Sequence, residues 1–307
     1  ADWESAIEAL REAYRRPDDI GATPERAVAV TAAGWQRVMP SAPPGARFAG
    51  SKTIAASMRN GLASYLITLF DQRDSRLAAL IDGNRITGIR TAATAAAALT
   101  ALLPARRATV AVVGSGFEAR AQLRAAARVA DIAEVRVTSP TAANRERFAA
   151  ELSEELGITI ASVASAEDAV RGASLVLCAA RSRDESPTVL SEWVADDATI
   201  VSVGSTTRSQ RELDPAIIGR AAIVVADAPA EVLHDSGDMI AAREAGVDID
   251  AITVPLHDLL GGRVSRPDHG IAIYKSTGSG FQDIVIAELL YDLAVERGVG
   301  TPLPVGI

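Results

Sequence analysis

The spacing that first points to chemistry in this 307-residue chain lies at residues 108–119, ATVAVVGSGFEA. An apolar run through Val110–Val113 enters Gly114-x-Gly116-x-x-Ala119, and a helix-forming stretch, ARAQLRAAARV, follows. Strand, glycine turn and helix in that order can cradle the pyrophosphate of a dinucleotide. Gly114 permits the tight turn, Gly116 lets the backbone approach a phosphate, and Ala119 lets the helix pack close to the strand. Phe117 and Glu118 begin that helix, whose free N–H groups and positive end favour an anion. The end of the next strand, Val137-Thr138-Ser139-Pro140-Thr141, is where an acid would bind the 2′-hydroxyl of NAD and repel a 2′-phosphate. No acid stands there, because Asp131 and Glu134 come too early. Ser139 and Thr141 can donate hydrogen bonds and Arg145 can pair with a phosphate, which favours NADP(H) with NAD(H) as the alternative. Further cofactor contacts are expected after later strands, at Ala179, Ala180 and Arg181 and at Ser202, Val203, Gly204 and Ser205. Lys275, where the chain leaves this region, is expected near the nicotinamide or a hinge.

These residues need a scaffold, and the hydrophobic pattern describes one. Short β-branched runs at 133–139, 158–163, 173–180, 198–205 and 221–228 alternate with helical runs at 142–156, 166–172 and 214–220. Runs apolar on both faces predict a parallel sheet covered on both sides, a doubly wound α/β domain of Rossmann type over 106–274. Residues 1–105 lack that alternation and predict a separate α+β domain. It has an amphipathic helix over Trp3–Arg16 and strand-like segments at 26–39, 46–58, 64–71 and 76–83. An Asp82-Gly83 turn follows, then a helix over Thr91–Leu103 ended by Pro104. The tail adds a strand at Ile271–Lys275 and a helix over Phe281–Arg297, with Asp283 read as a helix cap. Residues 275–307 are expected to complete the first domain, with a substrate cleft between the two.

Composition excludes several classes of function. A net charge of −8 argues against nucleic acid as the main partner. Apolar residues make up 48%, yet much of this is alanine, and the run at 91–103 is too short and small for a membrane span. No charged-then-apolar leader is read at the start, so the chain is expected to be soluble and cytoplasmic. The single cysteine, Cys178, lies in an apolar strand and reads as a small buried hydrophobe. His234, His257 and His269 show no metal-ligand spacing and read as surface residues, so no metal is expected.

Several segments together resemble the ornithine cyclodeaminase/μ-crystallin family: GSKTIAAS (50–57), ALIDGNRITGIRTAATAAAA (79–98), VVGSGFEARAQL (112–123), VGSTTRSQRELDP (203–215), HDSGDM (234–239) and YKSTGSGFQD (274–283). The resemblance also takes in RAVAV…RVMP (26–39) and runs nearly end to end. It implies a homodimer in which the first domain binds substrate and mediates dimerisation, and a nicotinamide cofactor in the middle domain. It also implies hydride chemistry on a C–N bond beside a carboxylate. Arg90 of GIRTAA falls on the family's substrate arginine, suits a bidentate carboxylate clamp, and is read as lying just before a helix. Lys52 matches the active-site lysine, which binds the carboxylate or exchanges a proton with the substrate nitrogen. Arg26 matches a second carboxylate-binding arginine. Thr206 stands where the cyclodeaminases carry an aspartate, and threonine takes up no proton near neutral pH. The resemblance therefore points to the ketimine-reductase branch, with Thr206 bonding nicotinamide or substrate or serving only as a turn residue. The implied activity is NADPH-dependent reduction of a cyclic or linear 2-imino acid. The alternatives are an amino-acid dehydrogenase, an ornithine cyclodeaminase, and a μ-crystallin-like binder without turnover.

Overall fold

The computed structural model describes residues 2–19, 21–104, 107–180, 184 and 186–303. It divides into two compact units, Ala1–Arg90 with Ser279–Ile307, and Thr91–Gly278. The division therefore falls at 90/91 and 278/279, beside the expected limits of 105/106 and 274/275; residues 105 and 106 lie outside the described residues.

The first unit begins with α1 (Trp3–Arg15), where the Asp2 side chain accepts a hydrogen bond from Ser5 N at 2.7 Å and so satisfies a helix N-terminus. Its spaced apolar residues, Ile7, Leu10 and Tyr14, are buried. Five antiparallel strands follow in order: β1 (Ala27–Thr31), β2 (Gly34–Ser41), β3 (Phe48–Ser57), β4 (Ala63–Asp71) and β5 (Leu77–Asp82). The segment read as one strand at 26–39 is thus a hairpin. Its corner is closed by Thr31 Oγ1, which accepts from Ala33 N and Gly34 N, a local bond that threonine offers in turns. Alternation sends Met39, Phe48, Lys52, Ile54, Ile67 and Leu69 to one buried face, while Leu66, Phe70 and Leu80 stay exposed. The final helix, Gly280–Glu296, packs on β2, β3 and β4. Its start comes so close to β2 that a Cβ at Gly280 would stand 2.5 Å from the Met39 carbonyl oxygen. Phe281 packs on Tyr14, with ring centroids 4.6 Å apart.

Helix α2 (Asn84–Leu102) begins at Asn84 and not at Thr91. Asp82 Oδ1 accepts from Asn84 N, so the turn itself opens the helix, which then runs through Gly88 despite a propensity cost of about 1 kcal/mol. Arg90 consequently lies in the second turn of α2. The dipole argument made for a residue before the helix does not apply, since that effect fades beyond the first turn.

The second unit is built on β6 (Ala108–Val113), α3 (Phe117–Ala126), β7 (Ile132–Thr138), α4 (Ala142–Leu156), β8 (Ile160–Ser162), α5 (Ala166–Val170) and β9 (Leu175–Cys178). It continues through β10 (Thr199–Ser202), α6 (Pro215–Gly219), β11 (Ala221–Ala226), α7 (Pro229–Asp235), α8 (Gly237–Glu244) and α9 (Ile249–Ile252), then β12 (Thr253–Pro255), α10 (Leu256–Leu260) and β13 (Ile271–Lys275). The eight strands form one sheet in the order β12-β11-β13-β10-β9-β6-β7-β8, and every pair is parallel. Strands β9, β10 and β13 are buried at every residue, as a sheet covered on both faces requires. The order reverses between β6 and β9, and open α/β sheets bind ligands outside the carboxyl ends of strands at such a switch point. No helix among the described residues is long and apolar enough to cross a membrane.

Candidate functional site

At the switch point of the second unit lies a cavity of about 550 Å³ lined by Gly114, Ser115, Ser139, Thr141, Asn144, Ala180 and Thr188, among others. Gly114 adopts φ +116°, and a Cβ there would stand 2.8 Å from the Ala179 carbonyl oxygen, so glycine is required twice over. Gly116 is the N-cap of α3 and has no side chain to cap it, and a Cβ there would meet no atom within 4 Å. Space is therefore open at the start of α3, and the N–H groups of a helix's first turn are what a pyrophosphate needs. Ala119 is fully buried against the sheet, Phe117 is 63% exposed, and Glu118 is half-buried. Ser115 Oγ donates to Ser139 Oγ at 2.8 Å, tying the glycine turn to the end of β7. Arg145, half-buried, donates to the Ser139 carbonyl oxygen at 3.0 Å. No acid is found among the described residues that line the cavity. Asp131 pairs with Arg107, and Glu134 with Arg136, at the start of β7. The residues present fit a dinucleotide.

Beside this cavity is a buried polar cluster that spacing did not flag. Glu212, fully buried, accepts from Ala180 N at 3.0 Å, Gly204 N at 2.8 Å and Ser202 Oγ at 2.7 Å. Lys275 Nζ donates to Ser202 Oγ at 2.7 Å and to Asp238 Oδ2 at 2.9 Å. Lys275 closes β13, three residues before the division at 278/279. Its ammonium is fully buried in β13 and its bonds are made to Ser202 and Asp238, because a buried ammonium must be paired. Val203 is buried, and Ser205 Oγ donates to the Gln210 carbonyl oxygen at 2.8 Å. Thr206 N and Oγ1 both donate to Gln210 Oε1, at 3.1 and 3.3 Å, so its hydroxyl closes a turn. Arg181 lies outside the described residues. Burial pushes the Cys178 thiol well above its ordinary range, in keeping with an inert hydrophobe. His257 is buried in α10 and not at the surface as expected, while His234 and His269 are exposed.

The first unit holds a second buried polar cluster. Asp283, in the first turn of the final helix, is fully buried and meets two cations. Lys52 Nζ donates to Oδ1 at 2.8 Å and lies 2.7 Å from Oδ2, and Arg90 Nε donates to Oδ1 at 3.1 Å. Gln282 Oε1 accepts from Arg90 Nη1 at 3.1 Å, and Gln282 Nε2 donates to Tyr14 Oη at 3.1 Å. Burial lowers the Lys52 ammonium to about 8; Asp283 opposes that fall, while the charges of Arg90 and Arg37 add to it. Asp283 therefore does not cap the helix, whose N-cap is Ser279; it joins Lys52 to Arg90. Arg26 is half-buried at the residue preceding β1. The signal for Asp283 was present but unread: a Gln-Asp pair inside the apolar run GFQDIVIAELL has to be buried, and a buried carboxylate needs a cation.

A model of the ornithine cyclodeaminase/mu-crystallin family matches residues 2–298. The ketimine reductase mu-crystallin of Mus musculus is 31% identical over 228 residues, 74% of this chain and 68% of that protein. A Delta(1)-pyrroline-2-carboxylate reductase of Bacillus cereus is 28% identical over 271 residues, 86% of this chain and 82% of that protein. Among solved structures, the Thermococcus litoralis Delta(1)-pyrroline-2-carboxylate reductase, in complex with NADH and L-proline, is similar with a TM-score of 0.89 at 29% identity, over 99% of this chain and 96% of that one.

The Asp283 cluster has a measurable consequence for stability. Asp283→Ala leaves Lys52 and Arg90 without the carboxylate they share, and is expected to cost about 3–5 kcal/mol. Chemical denaturation of both proteins checks this; a loss below about 1 kcal/mol would show that the pairing does not hold the unit together.

Proposed function

The chain belongs to the ornithine cyclodeaminase/mu-crystallin family, and from that premise we propose that it is an NADPH-dependent reductase of 2-imino carboxylates, cyclic or linear. The observation that carries the reading is the buried meeting of Lys52 and Arg90 on Asp283. The broader class, an NAD(P)-dependent oxidoreductase acting on a C=N bond, is supported by relatives named as ketimine and pyrroline-2-carboxylate reductases. The bound nicotinamide supplies the hydride for the C=N carbon. The glycine turn and the first turn of α3 hold its pyrophosphate. Ser139, Thr141 and Arg145 take the ribose end, where the lack of an acid supports the 2′-phosphorylated form.

On the substrate side, the planar fork of Arg90 clamps the carboxylate, with Arg26 as a second contact. Lys52 holds the nitrogen and delivers its proton. A lysine at an ordinary 10.5 gives up a proton poorly near neutral pH, whereas one lowered to about 8 is matched to that task. Asp283 fixes both cations before substrate arrives, which reduces the ordering that binding must still supply. Thr206 takes up no proton near neutral pH, which supports reduction over cyclodeamination. The exposed apolar face of the five-stranded sheet, with Leu66, Phe70 and Leu80, supports a homodimer through that surface.

The test is turnover of pyrroline-2-carboxylate, piperideine-2-carboxylate and iminosuccinate with NADPH and NADH, followed by the absorbance of the reduced nicotinamide. Reduction of at least one, faster in kcat/KM with NADPH, is expected; a folded protein that reduces none overturns the reading. Activity seen only with a 2-oxo acid and ammonia would make it a dehydrogenase. Arg90→Ala is expected to raise KM for the imino acid about tenfold or more, and an unchanged KM removes the clamp.

The proton transfer sets a sign with pH. Protonated Lys52 is needed, so kcat/KM falls as pH rises through about 8. Lys52→Met lacks that limb, and substrate ionisation, common to both proteins, is cancelled by the comparison. A limb that persists in Lys52→Met assigns the proton elsewhere. Light scattering on the purified protein checks the dimer, and the mass of a single chain would remove it.

A further inference from the structure

We propose that Glu212 is a positioning residue for the dinucleotide cavity, fixing with one carboxylate the chain ends that follow β9 and β10. The inference rests on the reading of that cavity as the cofactor site. Glu212 Oε1 accepts from Ala180 N, just beyond β9, and Oε2 accepts from Gly204 N, just beyond β10. Ala180 lines the cavity. The backbone of Glu212 reaches a third wall segment, because its carbonyl oxygen accepts from Thr188 N at 2.9 Å, and Thr188 also lines the cavity. The Glu212 backbone is itself held, its N–H donating to Asp238 Oδ1 at 2.8 Å.

This arrangement gives Gly204 a reason other than contact with a cofactor. A Cβ at 204 would collide with Glu212 Oε1 and stand 2.7 Å from the Ala180 carbonyl oxygen. Glycine there makes room for the carboxylate. Glu212 thus links the glycine of one strand end to the amide of the other across the carboxyl edge of the sheet, where open α/β sheets bind their ligands.

The bonds depend on ionisation. Two N–H groups and a hydroxyl converge on two carboxylate oxygens, so a proton placed on either oxygen faces donors and displaces one of them. The groups that face Glu212 are Lys275 from β13, Asp238 from α8, Ser202 from β10 and Cys178 from β9, whose thiol stays protonated. Burial pushes Glu212 up to about 7; Lys275 restrains the rise and Asp238 adds to it. An acid raised in the folded state contributes stability below its unfolded value, and that contribution is lost as pH rises through the folded value. Folding stability from this group therefore declines toward pH 7 while the wall tightens. Stability and dinucleotide affinity move in opposite directions, which a purely structural carboxylate would not produce.

The experiment compares wild type with Glu212→Gln, which keeps volume but replaces one acceptor with a donor. NADPH affinity is titrated by fluorescence between pH 6 and 8, and amide protection factors are measured on the ligand-free protein. In wild type, affinity is expected to rise toward pH 8 and protection of Ala180 and Gly204 to rise with it. Thr188, bonded to the backbone of Glu212, serves as the control whose protection stays level. Glu212→Gln is expected to bind NADPH about tenfold more weakly at pH 8, the loss of about one charge-assisted bond, and to lose the pH slope. A folded Glu212→Gln with wild-type affinity and slope overturns the inference. So does wild-type protection at Ala180 and Gly204 that tracks Thr188 across the range, a readout that needs no variant to fold. A wild type that binds neither NADPH nor NADH overturns the cofactor reading and this inference with it.

Discussion

The buried carboxylate of Asp283 is the constraint around which the first unit is arranged. Two cations, Lys52 from β3 and Arg90 from α2, meet it with no measurable exposure of the acid. Removing such charges from water is expensive, and only close pairing offsets the cost. The final helix must therefore reach the buried face of the sheet, and Gly280 lets it do so by leaving no Cβ against the Met39 carbonyl. Packing and charge then support each other: the apolar face excludes the water that would screen the pair, and the pair brings helix and sheet into one register.

The second unit applies the same physics to a different end. Its strands β9, β10 and β13 are buried at every residue, and Ser202, Glu212, Asp238 and Lys275 are buried together at the carboxyl edge of the sheet. Each polar group there is satisfied by another, and the chain ends that result are held without capping side chains. Ser115, at the entry to α3, and Ala179 and Ala180, just beyond β9, line one cavity, and Glu212 holds the Ala180 side of that wall. A pre-ordered wall of this kind lowers the cost of binding a flexible dinucleotide.

Much of this was legible in the residues themselves. Strand β6, the glycine turn and α3 stand where the pattern put them, because tight turns and buried strands leave local signatures. Ser139 and Thr141, at the acid-free end of β7, line the cavity beside the glycine turn. Helix α2 starts at Asn84, ahead of the expected Thr91, because Asp82 Oδ1 accepts from Asn84 N and tertiary context overrides the propensity cost of Gly88. The partners of Lys275 are not legible, because a strand-end lysine in a parallel sheet gives no sign of whether its amine points to solvent or to a buried acid. The short strand β12 and helices α7–α10 lack the length on which a period can be judged.

The carboxylate roles of Lys52 and Arg90 rest on the family resemblance alone, whereas sequence by itself determined the alternating sheet and the glycine turn. These follow from short-range sterics and hydrophobic period, which act within about ten residues. Tertiary structure alone decided which charges meet. Lys52 and Asp283 are separated by 231 positions, and Glu212 reaches Ala180 across 32. Such contacts are set by strand register and helix packing, and no local pattern records them, because the cost of burying a charge is paid only when the fold has closed around it.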